Sequence, residues 1–179
     1  MKFFTFHIII LSLFLIGAAG ATAQSSKKIK KTRPTQKENT SKVAANYGRY
    51  NFSFKSLDGK TVRLTDYSGK VILVNIWAPW CEPCKKEAEG FAKLYGEFHS
   101  KGFNIMGIAV QTTEGSVRSF MQNNHVTWSV GIKDEITDLY RAVGLPQSYL
   151  FNRDGSLVKE FVGYTAEEAL RQQLELIFP

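Results

Sequence analysis

The chain has 179 residues, 44% of them hydrophobic, a net charge of +7 and two cysteines, too few for a disulfide-built scaffold, so its fold must hold by packing. The charge excess lies at the N-terminus, where Lys2, Lys27, Lys28, Lys30, Lys31, Arg33, Lys37 and Lys42 stand against Glu38 alone, and residues 46–179 balance at 15 basic and 15 acidic side chains. No nucleic-acid partner is therefore expected from bulk charge, and the roughly 134 residues after position 45 suit one domain and not two.

Lys2, the aliphatic stretch from Ile8 to Ile16 and the small residues Gly17 to Ala23 read as a secretory signal peptide over 1–23. Ala21-Thr22-Ala23 is its cleavage site. An uncleaved membrane anchor is the competing reading, opposed by Thr5, His7 and Ser12 within the run. Either way the remainder is expected to be exported, to a periplasm or cell envelope. Residues 24–45, rich in Lys, Thr, Ser, Gln and Asn, read as a basic disordered linker.

The domain is expected over 46–179. Phe52 to Lys55 and Thr61 to Leu64 flank Asp58-Gly59, a hairpin signal. Val71 to Trp77 is a buried strand. A helix follows from Cys84 to Ser100, with Ala88, Phe91, Leu94, Tyr95 and Phe98 at three- and four-residue spacing and Gly102 as its stop. Phe103 to Val110 is a second buried strand. Then come a helix over Glu114 to Asn124, a strand over Val126 to Val130 and a helix over Glu135 to Val143. A hairpin spans Ser148 to Val162 about Arg153-Asp154-Gly155. Thr165 and Glu168 predict a capping box for a last helix ending near Ile177. The fold class is α/β, a mixed central sheet flanked by helices, with an N-terminal β-hairpin.

Both cysteines fall in Cys81-Glu82-Pro83-Cys84, directly after the first buried strand. A helix N-terminus lowers a thiol pKa from about 8.5 toward the range of roughly 3.5 to 7.5, and the thiolate is the reactive form. Cys81 is therefore the candidate nucleophile. Cys84, one turn on, can close a disulfide with it, the one disulfide a monomer can make.

Trp77-Ala78-Pro79-Trp80-Cys81-Glu82-Pro83-Cys84-Lys85 resembles the W-x-x-W-C-x-x-C-K block of the thioredoxin superfamily, and Gly144-Leu145-Pro146 with the following Gln147 to Phe151 resembles its Gly-x-Pro segment. With the N-terminal hairpin and the export signal, the resemblance narrows to the extracytoplasmic TlpA/ResA-like branch. It implies a redox-active disulfide as sole prosthetic element, Cys81 as nucleophile, Cys84 as resolving thiol and a cis proline at Pro146. Trp80, Glu82, Pro83, Leu145 and Pro146 would line the substrate site. Glu87 matches a carboxylate that the branch places beneath the dithiol; a solvated surface glutamate beside Lys85 and Lys86 is the alternative. The implied partners are protein thiols and disulfides and a membrane electron donor, the chain acting as a monomer. The implied activity is that of a protein-disulfide reductase, with apocytochrome c among its substrates; a general periplasmic oxidant or isomerase is the alternative.

Three departures stand out. Asn75 occupies the place of the buried Asp of cytoplasmic thioredoxins, Glu89 stands where the branch often has Pro, and Gln147 replaces the usual Thr after the proline, which is expected to alter substrate contacts. Two other classes compete: a zinc site, for which His99 and His125 lack ligand spacing, and a non-catalytic exported binding domain. A peroxiredoxin motif would need Thr at 78 and Pro at 74, where Ala78 and Val74 stand.

Overall fold

Two seven-residue runs without a single charge, Val71–Trp77 and Phe103–Ala109, form the centre of the molecule and are buried at every position. The computed structural model describes residues 45–179. The expected signal peptide and the linker up to residue 44 lie outside the described residues. Ala45, the last residue of that expected linker, is buried in the core, so the packed region begins one residue early.

The chain runs β1 (Ser53–Lys55), β2 (Thr61–Arg63), β3 (Val71–Trp77), α1 (Glu82–Phe98), β4 (Phe103–Ala109), α2 (Glu114–Asn123), β5 (Ser129–Ile132), α3 (Ile136–Tyr140), β6 (Gln147–Phe151), β7 (Leu157–Val162) and α4 (Glu167–Ile177). The main sheet has the order β5-β4-β3-β6-β7. Strands β3, β4 and β5 are parallel, and β6 and β7 join antiparallel, which gives the expected mixed sheet.

Strand alternation divides β3 between two cores. Val71, Leu73 and Trp77 pack with Phe91, Leu94 and Phe98 of α1 and with Leu170 and Leu174 of α4. Ile72, Val74 and Ile76 pack on the other face with Phe54, Tyr140, Tyr149 and Phe151. Each such large side chain contributes about 1.5–3 kcal/mol on burial. By the same parity Asn75 faces α1, a polar residue inside an apolar layer. Helix α1 runs uninterrupted past Glu89, gives way to a 3-10 turn at His99–Lys101 and stops at Gly102, whose φ of 104° is left-handed.

The N-terminal hairpin seats on the β5 edge through an isolated bridge between Ser56 and Gly131 and a bond from Leu57 N to Val130 O at 2.9 Å. A Cβ on Gly131 would collide with the Phe54 ring and lie 2.6 Å from Lys55 O. Backbone cannot yield as a side-chain tip can. Gly131→Ala is therefore expected to destabilise the protein by about 1–3 kcal/mol, seen as a lowered thermal midpoint; an unchanged midpoint would show that the hairpin floats free of β5.

Three sequence expectations need correction. The strand placed at Val126 to Val130 begins three residues later, because Ser129 is the first residue in register with β4, opposite Met106, while Val126 and Trp128 fill the α1-side core as an approach segment. Helix α3 ends at Tyr140 rather than Val143, since Arg141 turns left-handed with φ 54°. The Thr165–Glu168 capping box does not form: Ala166 is the N-cap, without a side-chain cap bond.

Candidate active site

Strand β3 ends at Trp77, and after Ala78, Pro79 and Trp80 the chain turns at Cys81 into α1. Cys81 is the N-cap of α1, and its Sγ accepts a hydrogen bond from Cys84 N at 3.3 Å. Sulfur thus takes the position that a Ser or Asp oxygen usually fills, satisfying one of the unpaired N–H groups of the first turn. Pro83 sits in that same turn, where its missing N–H costs no intrahelical bond. Cys81 and Cys84 are joined in a disulfide, with Cα atoms 5.3 Å apart and both residues buried.

Glu82 and Pro83 are exposed on the outer side of the turn. Glu82 pairs with Lys85 at 3.2 Å, so its charge is partly offset beside Cys81. Trp80, 58% exposed, forms the rim, its Nε1 donating to Gln111 O at 3.1 Å. Trp77 points inward and packs on Phe120. The Leu145–Pro146 peptide is cis, with Pro146 buried and Leu145 half-buried against the core that includes both cysteines. A groove of about 230 Å³ runs beside it, lined by Val110, Gln111, Thr137, Val143, Gly144 and Leu145.

Of the two readings of Glu87, the structure takes the buried one. The residue is 3% exposed and lies on the inward stripe of α1 with Cys84, Ala88 and Phe91. Oε1 accepts from Asn75 Nδ2 at 2.9 Å, and Oε2 accepts from Thr165 N at 3.1 Å. The second hydrogen of Asn75 Nδ2 goes to Ser148 Oγ at 3.0 Å. Loss of solvent raises the Glu87 pKa to about 8, against the opposing pull of the Thr165 and Asn75 bonds. Glu87, Asn75 and Cys84 line one internal cavity of about 10 Å³, the space of a single water. A carboxyl group able to change charge near neutral pH therefore shares a cavity with the inner cysteine.

The sequence reading gave Thr165 and Ser148 other places, a helix cap and a strand start, and missed their contacts in the Glu87 network. Ser148 is buried on the same face of β6 as Leu150 and could have been found by parity, while the Thr165 contact joins positions 78 apart with no local signal. Gln147 also departs from expectation: its side chain turns into the core and not toward a substrate. Among the described residues no cluster of three or more His, Cys, Asp or Glu is arranged to hold a metal ion.

A model of the AhpC/TSA family matches residues 49–160. The chain is 32% identical over 176 residues to the thiol-disulfide oxidoreductase ResA of Bacillus thuringiensis subsp. konkukian, covering 97% of this chain and 96% of that protein. To the ResA of Bacillus subtilis it is 34% identical over 131 residues, 72% and 73% of the two chains. A solved structure assigned as the thiol:disulfide interchange protein DsbE of Chlorobium tepidum superposes with a TM-score of 0.67 at 26% identity, over 72% of this chain and 94% of that one. Ala78 and Val74 stand where a peroxiredoxin motif would need Thr and Pro, and this chain's own redox pair is the Cys81–Cys84 dithiol on a thioredoxin-like fold. The chain thus belongs to the AhpC/TSA family within the thioredoxin superfamily, on its ResA-like side, and is a thiol-disulfide oxidoreductase.

Proposed function

We propose that the protein is an exported reductant of protein disulfides in the cell envelope, with apocytochrome c before haem attachment as its substrate class. The observation that carries this reading is the Cys81–Cys84 pair at the N-terminus of α1 with Glu87 buried on the same helix beneath it. In the reduced protein the Cys81 thiolate attacks a substrate disulfide. One S–S bond breaks, a mixed disulfide forms and the leaving sulfur takes up a proton. Cys84 then attacks Cys81 Sγ, releasing the second substrate thiol and closing the Cys81–Cys84 bond, so two electrons pass to the substrate. Glu87 accepts the proton that Cys84 gives up. Leu145 and Pro146 border the approach to the sulfurs, and Trp80 shields them. A membrane dithiol donor restores the reduced state. The signal-like N-terminus and the ResA relatives support export and direction.

The reading is tested by the reduction potential of the Cys81/Cys84 couple, measured at equilibrium with glutathione or a thioredoxin. A value toward about −270 mV is expected; one near about −120 mV, typical of a strong oxidant, would overturn it in favour of disulfide formation.

A further inference from the structure

Gln147 is 1% exposed, yet its carboxamide is fully engaged. Oε1 accepts from Val143 N at 2.8 Å. Nε2 donates to Tyr149 Oη at 2.7 Å and to a Glu160 carboxylate oxygen on β7. Tyr149 Oη in turn donates to Tyr140 O, at the end of α3, at 3.0 Å. These partners fix the amide orientation: a backbone N–H requires the oxygen, and a carboxylate requires the nitrogen.

The bond to Val143 is a polar tie on a segment otherwise held by the packing of Ala142 and Leu145. Arg141 is left-handed, Ala142 N donates back to Thr137 O at 2.8 Å, and the next backbone tie comes at Pro146 O, which accepts from Gly163 N at 2.9 Å. Between them Val143, Gly144 and Leu145 form one wall of the 230 Å³ groove, and Val143 is 80% exposed. The opposite wall includes Gln111, whose carbonyl anchors Trp80 next to Cys81. Gln111 thus links the groove to the rim of the disulfide site, and the Val143–Leu145 side of the groove is held by the Gln147 side chain from the strand beneath together with the packing of Leu145.

We propose that Gln147 is a positioning residue for substrate: through Val143 N it fixes the Val143–Leu145 wall so that an extended polypeptide segment can lie beside the Cys81–Cys84 pair. A Thr is too short to reach Val143 N from this strand position. A Leu fills the volume but strands the Val143 N–H, and a Glu sets a carboxylate against Glu160. The inference rests on exchange chemistry at Cys81 and not on the direction proposed above.

The test compares Gln147→Leu, Gln147→Glu and the pair Gln147→Glu with Glu160→Gln. The probes are a C-x-x-C-H peptide, used in both its disulfide and dithiol forms, and the small disulfide 5,5′-dithiobis(2-nitrobenzoate), which needs no groove. KM for the peptide is expected to rise about five- to tenfold in Gln147→Leu, the scale of one lost hydrogen bond. It should also rise in Gln147→Glu, because repulsion from Glu160 pushes the new carboxylate off Val143 N. In both, kcat and the small-disulfide rate should stay within about twofold of the parent. Exchanging the two side chains restores a donor opposite a carboxylate and removes the repulsion that displaces the oxygen facing Val143 N, so the double variant should recover most of the loss of Gln147→Glu. Hydrogen exchange at the Val143 amide should quicken in Gln147→Leu, while amides of β3 and β6 stay protected. An unchanged KM in either direction overturns the proposal, as does a parallel fall in the small-disulfide rate, which would mark a general structural defect. Which form of the peptide reacts to completion with the parent bears on the reductant reading alone.

Discussion

Cys81→Ser is expected to abolish disulfide exchange, lowering the rate by at least about a thousandfold, the scale lost when a nucleophile is removed. Cys84→Ala is expected to do something different: it should react once and stop as a stable mixed disulfide through Cys81, visible as a mass adduct released by dithiothreitol. The asymmetry follows from the helix start. Cys81 is the N-cap, with Cys84 N aimed at its sulfur, so a thiolate there gains a hydrogen bond and the positive end of α1. Cys84 lies one turn deeper against the Glu87 cavity. In the reduced parent at pH 6, alkylation of Cys81 should run about five- to tenfold faster than that of a free-cysteine peptide, since the larger thiolate fraction outweighs its lower intrinsic nucleophilicity. Both variants should fold, because the disulfide spans a separation of three residues and constrains little chain. A stable adduct trapped on Cys84 in Cys81→Ser, with none formed by Cys84→Ala, would reverse the assignment.

Much of this site is readable from residue order because its parts are local. The dithiol, the strand before it and the helix after it lie within thirty residues, so spacing alone places both sulfurs at a helix start. Glu87 was readable too: it falls three residues after Cys84 and four before Phe91, on the buried stripe of α1, although the flanking Lys85 and Lys86 make the turn look solvated. The remainder of its environment is non-local. Thr165 N reaches Glu87 from the β7–α4 loop, and that loop was read as a capping box because a Thr with a Glu three residues on carries the same pattern whether or not its side chain caps. Gln147 misleads for a related reason: alternation along β6 places it on the face opposite Ser148, but which face looks toward α3 follows only from the sheet order.

The fold was legible where burial imposes a pattern. Strands β3 and β4, covered on both faces, appear as continuous apolar runs, and the two hairpins announce themselves through Asp-Gly. Strand β5 was misplaced because Val126 and Trp128 are as buried as strand residues while belonging to an irregular approach. Hydropathy reports burial there, and register with β4 decides what is strand.

Glu87→Gln is expected to separate two consequences of one buried carboxyl group. In catalysis the resolving step needs Cys84 to lose its proton, and a general base typically contributes about a hundredfold or more. The variant should slow that step by about ten- to a hundredfold near neutral pH in single-turnover experiments. It should also erase a rise in rate through about pH 8, where Glu87 becomes available as a base. In stability the sign is opposite. The folded state holds the Glu87 proton up to about pH 8, whereas the unfolded chain releases it near its ordinary value of 4.5. Between these values the native state binds more protons, so this group's contribution is fully present below about pH 4.5 and is lost as pH rises through about 8. A displacement of that size corresponds to on the order of 5 kcal/mol. The oxidised variant should therefore match the parent below pH 4.5 and exceed it in denaturant midpoint above pH 8. The amide can keep the existing contacts: Asn75 can flip to accept from the new side-chain nitrogen, the Ser148 hydroxyl can donate to Asn75, and Thr165 N keeps an oxygen acceptor. A variant that is slower yet no more stable at alkaline pH would mean that Glu87 ionises in the fold at its ordinary pH, and that its effect on rate comes from charge beside Cys84 and not from proton transfer.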